Sequence, residues 1–482
     1  MTDVNQLLDT STTTQPGRTG VSRREFLRGV AAAGAAVAGT SLLGTPAWGA
    51  VLDPAKAAGP KAVQPTVDFT FLEFFTGELW TGLFQGIVAQ FEKEHPNIKW
   101  KGIPVNYNQL PAKYLTLAAG GDAPDGTSLD NTELPSIAAR GVVQDLAPYI
   151  KSSHYDLGVF YPARLKNGQW LGVQYGMPID LGSSAIYYNK KAFDEKGLAY
   201  PKPTWTYHDL VTTAIKLTVD ANGKSADEAG FNPSKVKQWG FRFSHSTYRF
   251  YYIYTGYNGA QYFNPAVSKL EFGNAKSADS LNFFLDMINK YHCSPTATYD
   301  NGVSNNGAVQ PFTSGLYAMD FTWIGLIGWL HQKGVKVTDY DTVNLPRTPT
   351  DKQEVGGQTF VITKNARNSA AAWSWIEFMT AEYAQKTLGK SGAWFPAQAR
   401  FAKFAWPADH KPAHFFESFY EPVAKYGLAE WWFTEDWPQW QTYTDGALVD
   451  VFSNLKTINQ ATAYIKGGIG NQLSTWRKGL SA

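Results

Sequence analysis

The chain opens on polar residues and a weakly apolar, Ala/Gly-rich run from Gly29 to Gly44, and only from Thr66 do apolar positions recur with the periods of folded elements. Thr66 to Leu72 reads as a strand. The stretch beyond it places Leu83, Phe84, Ile87, Val88 and Phe91 at spacings of three to four, which is one face of a helix. A second strand is predicted from Ile98. Asn108 to Ala119 reads as another helix, stopped by Gly120-Gly121, where glycine takes a left-handed cap without a Cβ penalty. Strand, helix and strand in alternation predict a parallel, doubly wound sheet. Ligands of such sheets collect beyond the carboxyl ends of the strands.

Further along, Gly176-Met177-Pro178-Ile179-Asp180 predicts a stiff, extended crossing between two lobes, because a proline pushes the residue before it out of the helical region. Ala185-Ile186-Tyr187-Tyr188 then starts a strand of the second lobe. Thr206 can cap the helix after Trp205, with Asp209 completing a capping box and Leu210, Val211, Ala214 and Ile215 forming its buried face. The helix after Ser369 carries Trp373, Ile376 and Met379.

Length supports two lobes, since the 482 residues exceed what one hydrophobic core covers even without the leader. The leader is Ser22-Arg23-Arg24-Glu25-Phe26-Leu27-Arg28 followed by the Ala/Gly run, which fits a twin-arginine export signal. That run is shorter than the roughly 20 apolar residues of a membrane span. Small residues at Ala47-Trp48-Gly49 and at Ala55-Lys56-Ala57 offer two cleavage points. Cys293 is the only cysteine, so neither a disulfide nor an acylated cysteine is available.

Residues 1–49 hold four of the 43 basic and three of the 41 acidic residues, leaving 39 against 38. A charge of +1 provides no surplus of Lys and Arg for nucleic acid and suits a neutral ligand. The aromatic content changes the picture more: 17 Trp, 25 Tyr and 29 Phe supply many flat apolar faces with polar edges.

Local chemistry motifs fail on inspection. Gly389-Lys390-Ser391 resembles the tail of a phosphate loop, but Ala384 stands where its first glycine belongs. Asp220-Ala221-Asn222-Gly223 starts like a calcium loop, yet Lys224 and Ser225 take the places of a ligand and the turn glycine. Pro412 separates His410 from His414 and breaks the helix that would aim both at a metal. No Gly-x-Ser-x-Gly elbow supports a serine hydrolase.

An ordered series of short motifs spans residues 71–398. It runs through Phe91-Glu92-Lys93-Glu94-His95-Pro96-Asn97, Ala118-Ala119-Gly120-Gly121-Asp122-Ala123-Pro124-Asp125, Ala138-Ala139-Arg140-Gly141 and Tyr187-Tyr188-Asn189-Lys190. Pro203-Thr204-Trp205, Phe312-Thr313-Ser314-Gly315-Leu316-Tyr317-Ala318-Met319 and Gly392-Ala393-Trp394-Phe395-Pro396-Ala397 follow. This series resembles the extracellular solute-binding proteins of sugar importers of the maltose-binding type. One departure is Gly126-Thr127-Ser128, where that family has an apolar strand.

The resemblance implies an α/β fold of two lobes with a hinge of several crossings. Residues 1–50 are then the twin-arginine signal peptide, 66–178 plus about 300–357 the N-terminal lobe, and 179–299 plus about 358–482 the C-terminal lobe. The chain is expected to return to the second lobe near Gly356-Gly357 and to cross again around Pro396-Ala397. A carbohydrate ligand, membrane permease subunits of an ABC importer as partners, a monomer and a periplasmic or cell-surface location are expected, with no cofactor, metal or catalysis.

A sugar needs aromatic faces for its C–H patches and amides or carboxylates for its hydroxyls. The loops that the resemblance turns toward the cleft carry such residues. They are Glu73, Phe74, Phe75, Glu78 and Trp80 after the first strand, and Asp130, Asn131 and Glu133 after the third. Asp180 stands at the crossing, as a ligand group or as the cap of a turn. Tyr248 and Arg249 lie with His245 in an aromatic-rich loop. Trp323 is expected as a stacking platform and Asp320 as a hydroxyl partner, while Gly356 and Gly357 allow backbone to approach the ligand. Trp394 and the run Trp431, Trp432, Glu435, Asp436, Trp437, Trp440 and Tyr443 add rings in a stretch that reads as non-helical. The enzymatic alternative is a secreted glycoside hydrolase, which would need two carboxyls at a defined separation.

Overall fold

The computed structural model describes residues 65–75, 78–264, 269–303, 309–348, 352–392, 394–429 and 437–480, with the side chains of 78–81, 309–310, 408 and 470–480 excepted. The leader lies outside these residues. Strand β1 (Val67–Glu73) buries Phe69, Phe71 and Leu72 and runs parallel to β2 (Ile98–Pro104) along its whole length. Between them α1 (Glu78–Glu94) lays Phe84, Ile87 and Phe91 on the sheet. After β2, helix α2 (Leu110–Gly120) ends at Gly121 in the left-handed conformation, φ 80°.

Strand β3 (Gly126–Asp130) forms beside β1 despite its polar sequence, because its polar groups are satisfied inside the sheet. Thr127 donates its hydroxyl to the Leu72 carbonyl at 3.0 Å, and Ser128 donates to Gln358 Oε1 at 2.7 Å. Helix α3 (Leu134–Ala139), helix α4 (Pro162–Lys166), a hairpin of β4 (Gln169–Trp170) and β5 (Val173–Gln174), and β6 (Gly176–Pro178) complete this first passage.

The chain then enters a second lobe at β7 (Ser184–Asn189), followed by α5 (Tyr207–Leu217), whose Thr206–Asp209 capping box is present as the sequence predicts. Helix α6 (Thr247–Asn258), β8 (Met319–Trp323), α7 (Leu326–Gln332) and β9 (Tyr340–Val343) follow, and β8 and β9 flank β7 antiparallel. After β10 (Gln353–Glu354) the chain recrosses, and β11 (Gln358–Ile362) inserts between β3 and β6 of the first sheet. Helices α8 (Ser369–Thr380) and α9 (Glu382–Ser391) cover that sheet, and a last passage returns through α10 (Phe415–Tyr426), β12 (Gly427–Leu428) and α11 (Trp437–Phe452).

This pairing corrects the expected lobe membership of two segments. Residues of 300–357 belong with β7 in the second lobe, and 358 to about 398 belong with β1 and β3 in the first. Strand β11 is antiparallel to both neighbours, so it reaches its slot only by coming back across the hinge. The first core is centred on Trp375, fully buried and edge-on to Phe91 at 4.9 Å. Truncating such a ring to Ala costs about 3–5 kcal/mol.

Three passes meet at the hinge and pair with one another. Gly182 and Gly356 exchange both backbone bonds, at 2.7 and 2.9 Å, and Leu181 N–H donates to the Phe395 carbonyl at 2.8 Å. Side chains of the first lobe hold the passes. Arg164, fully buried, donates to the Asp180 carbonyl at 2.8 Å and to the Gln358 carbonyl at 2.5 Å, with its guanidinium 3.7 Å from the Asp180 carboxylate. Asn167 donates to the Val355 carbonyl. Gln385 donates to the Ile179 carbonyl at 2.7 Å and accepts from Ala397 N–H at 3.1 Å.

Asp180 thus serves the hinge itself. Its carboxylate accepts from Gln358 N–H at 2.5 Å, and burial pushes its pKa up to about 7 against the pull of Arg164. Replacing Arg164 by Leu leaves that carboxylate buried without its partner, a loss of about 3–5 kcal/mol for a broken buried pair. A raised pKa means the penalty applies where Asp180 is ionised. We therefore expect the R164L deficit in unfolding free energy to be largest at pH 8 and clearly smaller at pH 5. Urea titrations at both pH values measure it, and equal deficits would remove Asp180 from the account.

Candidate functional site in the cleft between the lobes

On the first lobe, the carboxyl ends of β1 and β3 present acidic and aromatic groups. Phe74 is half-buried and edge-on to Tyr107 at 5.1 Å, while Phe75 turns inward and stacks on Phe84 at 4.0 Å. Tyr107 is 44% exposed and donates its hydroxyl to Asp130 Oδ2 at 3.1 Å. Gln358 donates to the same oxygen at 3.3 Å, and Thr132 donates its N–H and hydroxyl to Asp130 Oδ1 at 3.0 Å each. Glu133 accepts from Asp130 N–H at 3.1 Å. Burial, then the neighbouring Asp130 charge, pushes the Glu133 pKa up to about 8. This wall therefore offers both accepting oxygens and, with Glu133 protonated, a donor.

Asn131 reaches the hinge. It accepts from Gly357 N–H at 3.1 Å and donates its own N–H to the Gly357 carbonyl at 3.2 Å. Gly356 lies where Asn131 meets Tyr248 of α6: a Cβ there would sit 2.3 Å from the Tyr248 hydroxyl and 3.0 Å from Asn131 Oδ1. Gly357 has φ +122°, and a Cβ there would meet the Asp180 carboxylate at 2.4 Å. Both glycines are needed, as the sequence suggests, but the group that comes close is protein.

On the second lobe, Trp323 ends β8 opposite Ser184, so it stands at the hinge-proximal edge of that sheet. Its indole is 38% exposed and lies edge-on to Trp329, 42% exposed, at 5.9 Å and 85°. The Trp323 ring folds over Gly325, where a Cβ would come within 2.2 Å. Two adjoining exposed indoles form a platform on which a sugar face can stack.

Behind that platform is a buried charge network. Arg242 bonds Asp300 at 3.0 Å and Asp320 at 3.2 Å, and Tyr317 donates to Asp300 at 2.6 Å. Burial raises Asp320 to about 6, opposed by Arg242, and burial lowers His245 to about 4, so the imidazole is neutral at pH 7. Burial likewise raises the Glu354 pKa, a shift that the positive charge of Arg249 on α6 opposes.

Several expected site residues are elsewhere. Asp320 is wholly buried on Arg242. Glu73 is buried and accepts from Phe75 N–H. Phe75 and Trp394 are core, packed edge-on at 5.1 Å. Trp437 and Trp440 are 1% and 3% exposed inside the second core, on the buried face of α11 with Thr444, Ala447 and Val451. Residues from 437 onward are thus a helix, against the non-helical reading. Tyr248 and Arg249 sit in the first turns of α6, also not a loop, and Arg249 is half-buried. Trp431, Trp432, Glu435, Asp436 and the side chains of Glu78 and Trp80 lie outside the described residues.

Asn131, Gly356, Gly357 and Tyr248 meet at the hinge, with Asp130 and Glu133 beside Asn131 on the first lobe, while Trp323 stands at the hinge-proximal edge of the second-lobe sheet. Sequence reading missed Tyr107, Gln358, Glu354, Arg164 and Trp329. Trp329 follows Trp323 by six residues and could have been paired with it; the others carry no local signal. A cavity of about 410 Å³ lined by Val67, Thr70, Asp125, Arg367 and Asn368 involves residues preceding β3 and following β11, away from this cleft.

A model of the family described as bacterial extracellular solute-binding protein matches residues 77–386, more than half of the chain. The maltodextrin-binding protein MdxE of Bacillus subtilis (strain 168) is 24% identical over 336 residues, 68% of this chain and 70% of that protein. The putative ABC transporter periplasmic-binding protein YcjN of Escherichia coli (strain K12) is 28% identical over 183 residues, 36% of this chain and only 41% of that protein. Among solved structures, the ABC substrate-binding protein Lmo0181 from Listeria monocytogenes in complex with cycloalternan superposes with TM-score 0.72 at 22% identity, covering 84% of this chain and 99% of that one. The sugar-binding protein MalE from Xanthomonas citri gives TM-score 0.70 at 17% identity, covering 86% and 99%. These likenesses show the two-lobed fold.

A carboxyl whose folded pKa is raised above its unfolded value makes stability fall as pH rises between the two. Glu133→Gln removes the buried charge and keeps an oxygen for Asp130 N–H. The variant should melt with wild type at pH 4.5 and above it at pH 9, the gap widening through pH 8. Parallel melting curves across that range would show that Glu133 ionises normally.

Proposed function

The chain belongs to the bacterial extracellular solute-binding proteins, and on that premise we propose that it captures a carbohydrate between its lobes and delivers it to membrane permease subunits of an ABC importer. One observation supports this reading most: hydrogen-bonding groups on the first lobe and exposed indoles on the second lie beside the hinge where the chain crosses between them. The first supplies Tyr107, Asp130 and Glu133 for hydroxyls, and the second supplies the Trp323–Trp329 platform for the ring face. A relative whose name specifies maltodextrin, and a neighbour crystallised with cycloalternan, support an oligosaccharide as ligand.

Capture works by hinge closure, the mode of periplasmic binding proteins. Ligand favours the closed form to the extent that it touches both walls at once. The family places the protein outside the cytoplasmic membrane, in the periplasm or at the cell surface. Ser22-Arg23-Arg24-Glu25-Phe26-Leu27-Arg28 supports export through the twin-arginine route. Among the described residues no helix is long and apolar enough to cross a membrane.

A thermal-shift screen of mono-, di- and oligosaccharides tests the reading. A true ligand at 100 times its Kd stabilises by about 2.7 kcal/mol, and release of smaller sugars in the same samples would favour the glycoside hydrolase instead. Trp323→Ala should weaken binding by at least about tenfold, equivalent to ~1.4 kcal/mol, without moving the melting point of the empty protein. Wild-type affinity in a calorimetric titration of that variant would take Trp323 out of the site. Replacing Arg23 and Arg24 together by Lys should leave the precursor inside the cell, and unchanged export on fractionation would refute the twin-arginine route.

A further inference from the structure

Trp170 ends β4, a strand of the first lobe that no part of the cleft description uses. Its hairpin is tied down on the first-lobe side. Tyr175 and Gly176 N–H both donate to the Gly168 carbonyl, at 2.9 and 3.0 Å, and Leu146 N–H donates to the Gln174 carbonyl at 2.8 Å. The Gln174 amide donates to the Gly176 carbonyl at 2.6 Å and accepts from Gln169 at 3.0 Å. The turn between the strands has both central residues at positive φ, Leu171 at 51° and Gly172 at 81°, the geometry of a tight hairpin that leaves its strands little freedom. The hairpin therefore travels with the first lobe.

The Trp170 side chain does not stay with that lobe. Its half-buried ring packs against the first-lobe cluster that includes Leu72, Leu129, Leu134 and Ile137. It also packs against the second-lobe cluster that includes Ile186, Phe321 and Trp437. The neighbouring Asn167 fixes the same segment to Val355 of the second crossing. An indole resting on two cores that can move relative to one another contributes its buried apolar area only to the arrangement in which both contacts exist.

We propose that Trp170 is a positioning residue for ligand capture: carried by the first lobe and seated on the second, it favours the lobe arrangement in which both contacts exist, and we take that arrangement as the one that grips ligand. This rests on the carbohydrate-capture reading for its consequence, but the contact itself is independent of any ligand. A bias of this kind changes the competent fraction of the empty protein, so it alters the affinity for every ligand by one common factor.

The test compares wild type, Trp170→Ala and Trp170→Phe. Small-angle scattering of the ligand-free proteins should show a larger radius of gyration for W170A and its restoration in W170F, with far-ultraviolet circular dichroism unchanged. Titrations with maltotriose and with maltohexaose should show both affinities lowered by one factor, about fivefold. An unchanged radius in W170A overturns the proposal, as does a gain in affinity. A loss for one sugar and not the other also overturns it, marking Trp170 as a ligand contact. If neither sugar binds wild type, these are not ligands of the cleft, and the scattering alone decides the role of Trp170. Should W170A not fold, Trp170→Leu, which keeps an apolar side chain over the first-lobe core, carries the same comparison.

Discussion

The polar backbone at the hinge is the constraint on which the remaining structure depends. Where two hydrophobic cores separate, three stretches of chain must cross without leaving amides and carbonyls unpaired, and each orphan would cost about as much as a lost hydrogen bond. The solution is to pair the passes with each other, Gly182 with Gly356 and Leu181 with Phe395, and to hold them with Arg164, Asn167 and Gln385. All three clamping side chains belong to the first lobe. The hinge is therefore an extension of that lobe's sheet, and Gly356 and Gly357 have no room for side chains because protein groups already occupy the space.

The site inherits its chemistry from that frame. Strand β3 delivers Asp130 and Asn131 at its carboxyl end because β11, arriving from the hinge, pairs with it and supplies Gln358. The second lobe contributes surface through Trp323 and Trp329 and keeps its charges inside. One arginine, Arg242, serves two carboxylates there, Asp300 and Asp320, so this buried network carries no surplus positive charge to attract an anion. Exposed ring faces on one lobe and hydrogen-bonding carboxylates on the other are the groups that the proposed carbohydrate capture requires.

Periodicity revealed the elements well and their partnership poorly. Leu83 to Phe91, the Thr206–Asp209 box and the crossing at Pro178 are local patterns, and local patterns survive in sequence. The placement of β8, β9 and β11 depends on which sheet edge is vacant when each strand arrives, and no residue of Met319–Trp323 or Gln358–Ile362 encodes that. Single aromatic residues were hard to assign for a related reason. Trp323 and Trp437 have the same chemistry, and only the surrounding packing makes one exposed and the other core. From Trp437 onward the spacings of three and four to Trp440 and Thr444 were a readable helical signal, obscured by the acidic and aromatic run before it. Arg164 shows the opposite limit, because a fully buried arginine on a five-residue helix looks like any surface charge until its carbonyl partners are known.

Cys293 is sealed in the second core, and burial raises its thiol well above the ordinary range. Thiolate is the reactive species, so this sulfur is shielded from oxidants and alkylating dyes alike. A fluorophore pair attached through one introduced cysteine on each lobe would consequently report distance without background labelling, making the native scaffold a ready starting point for an optical sensor.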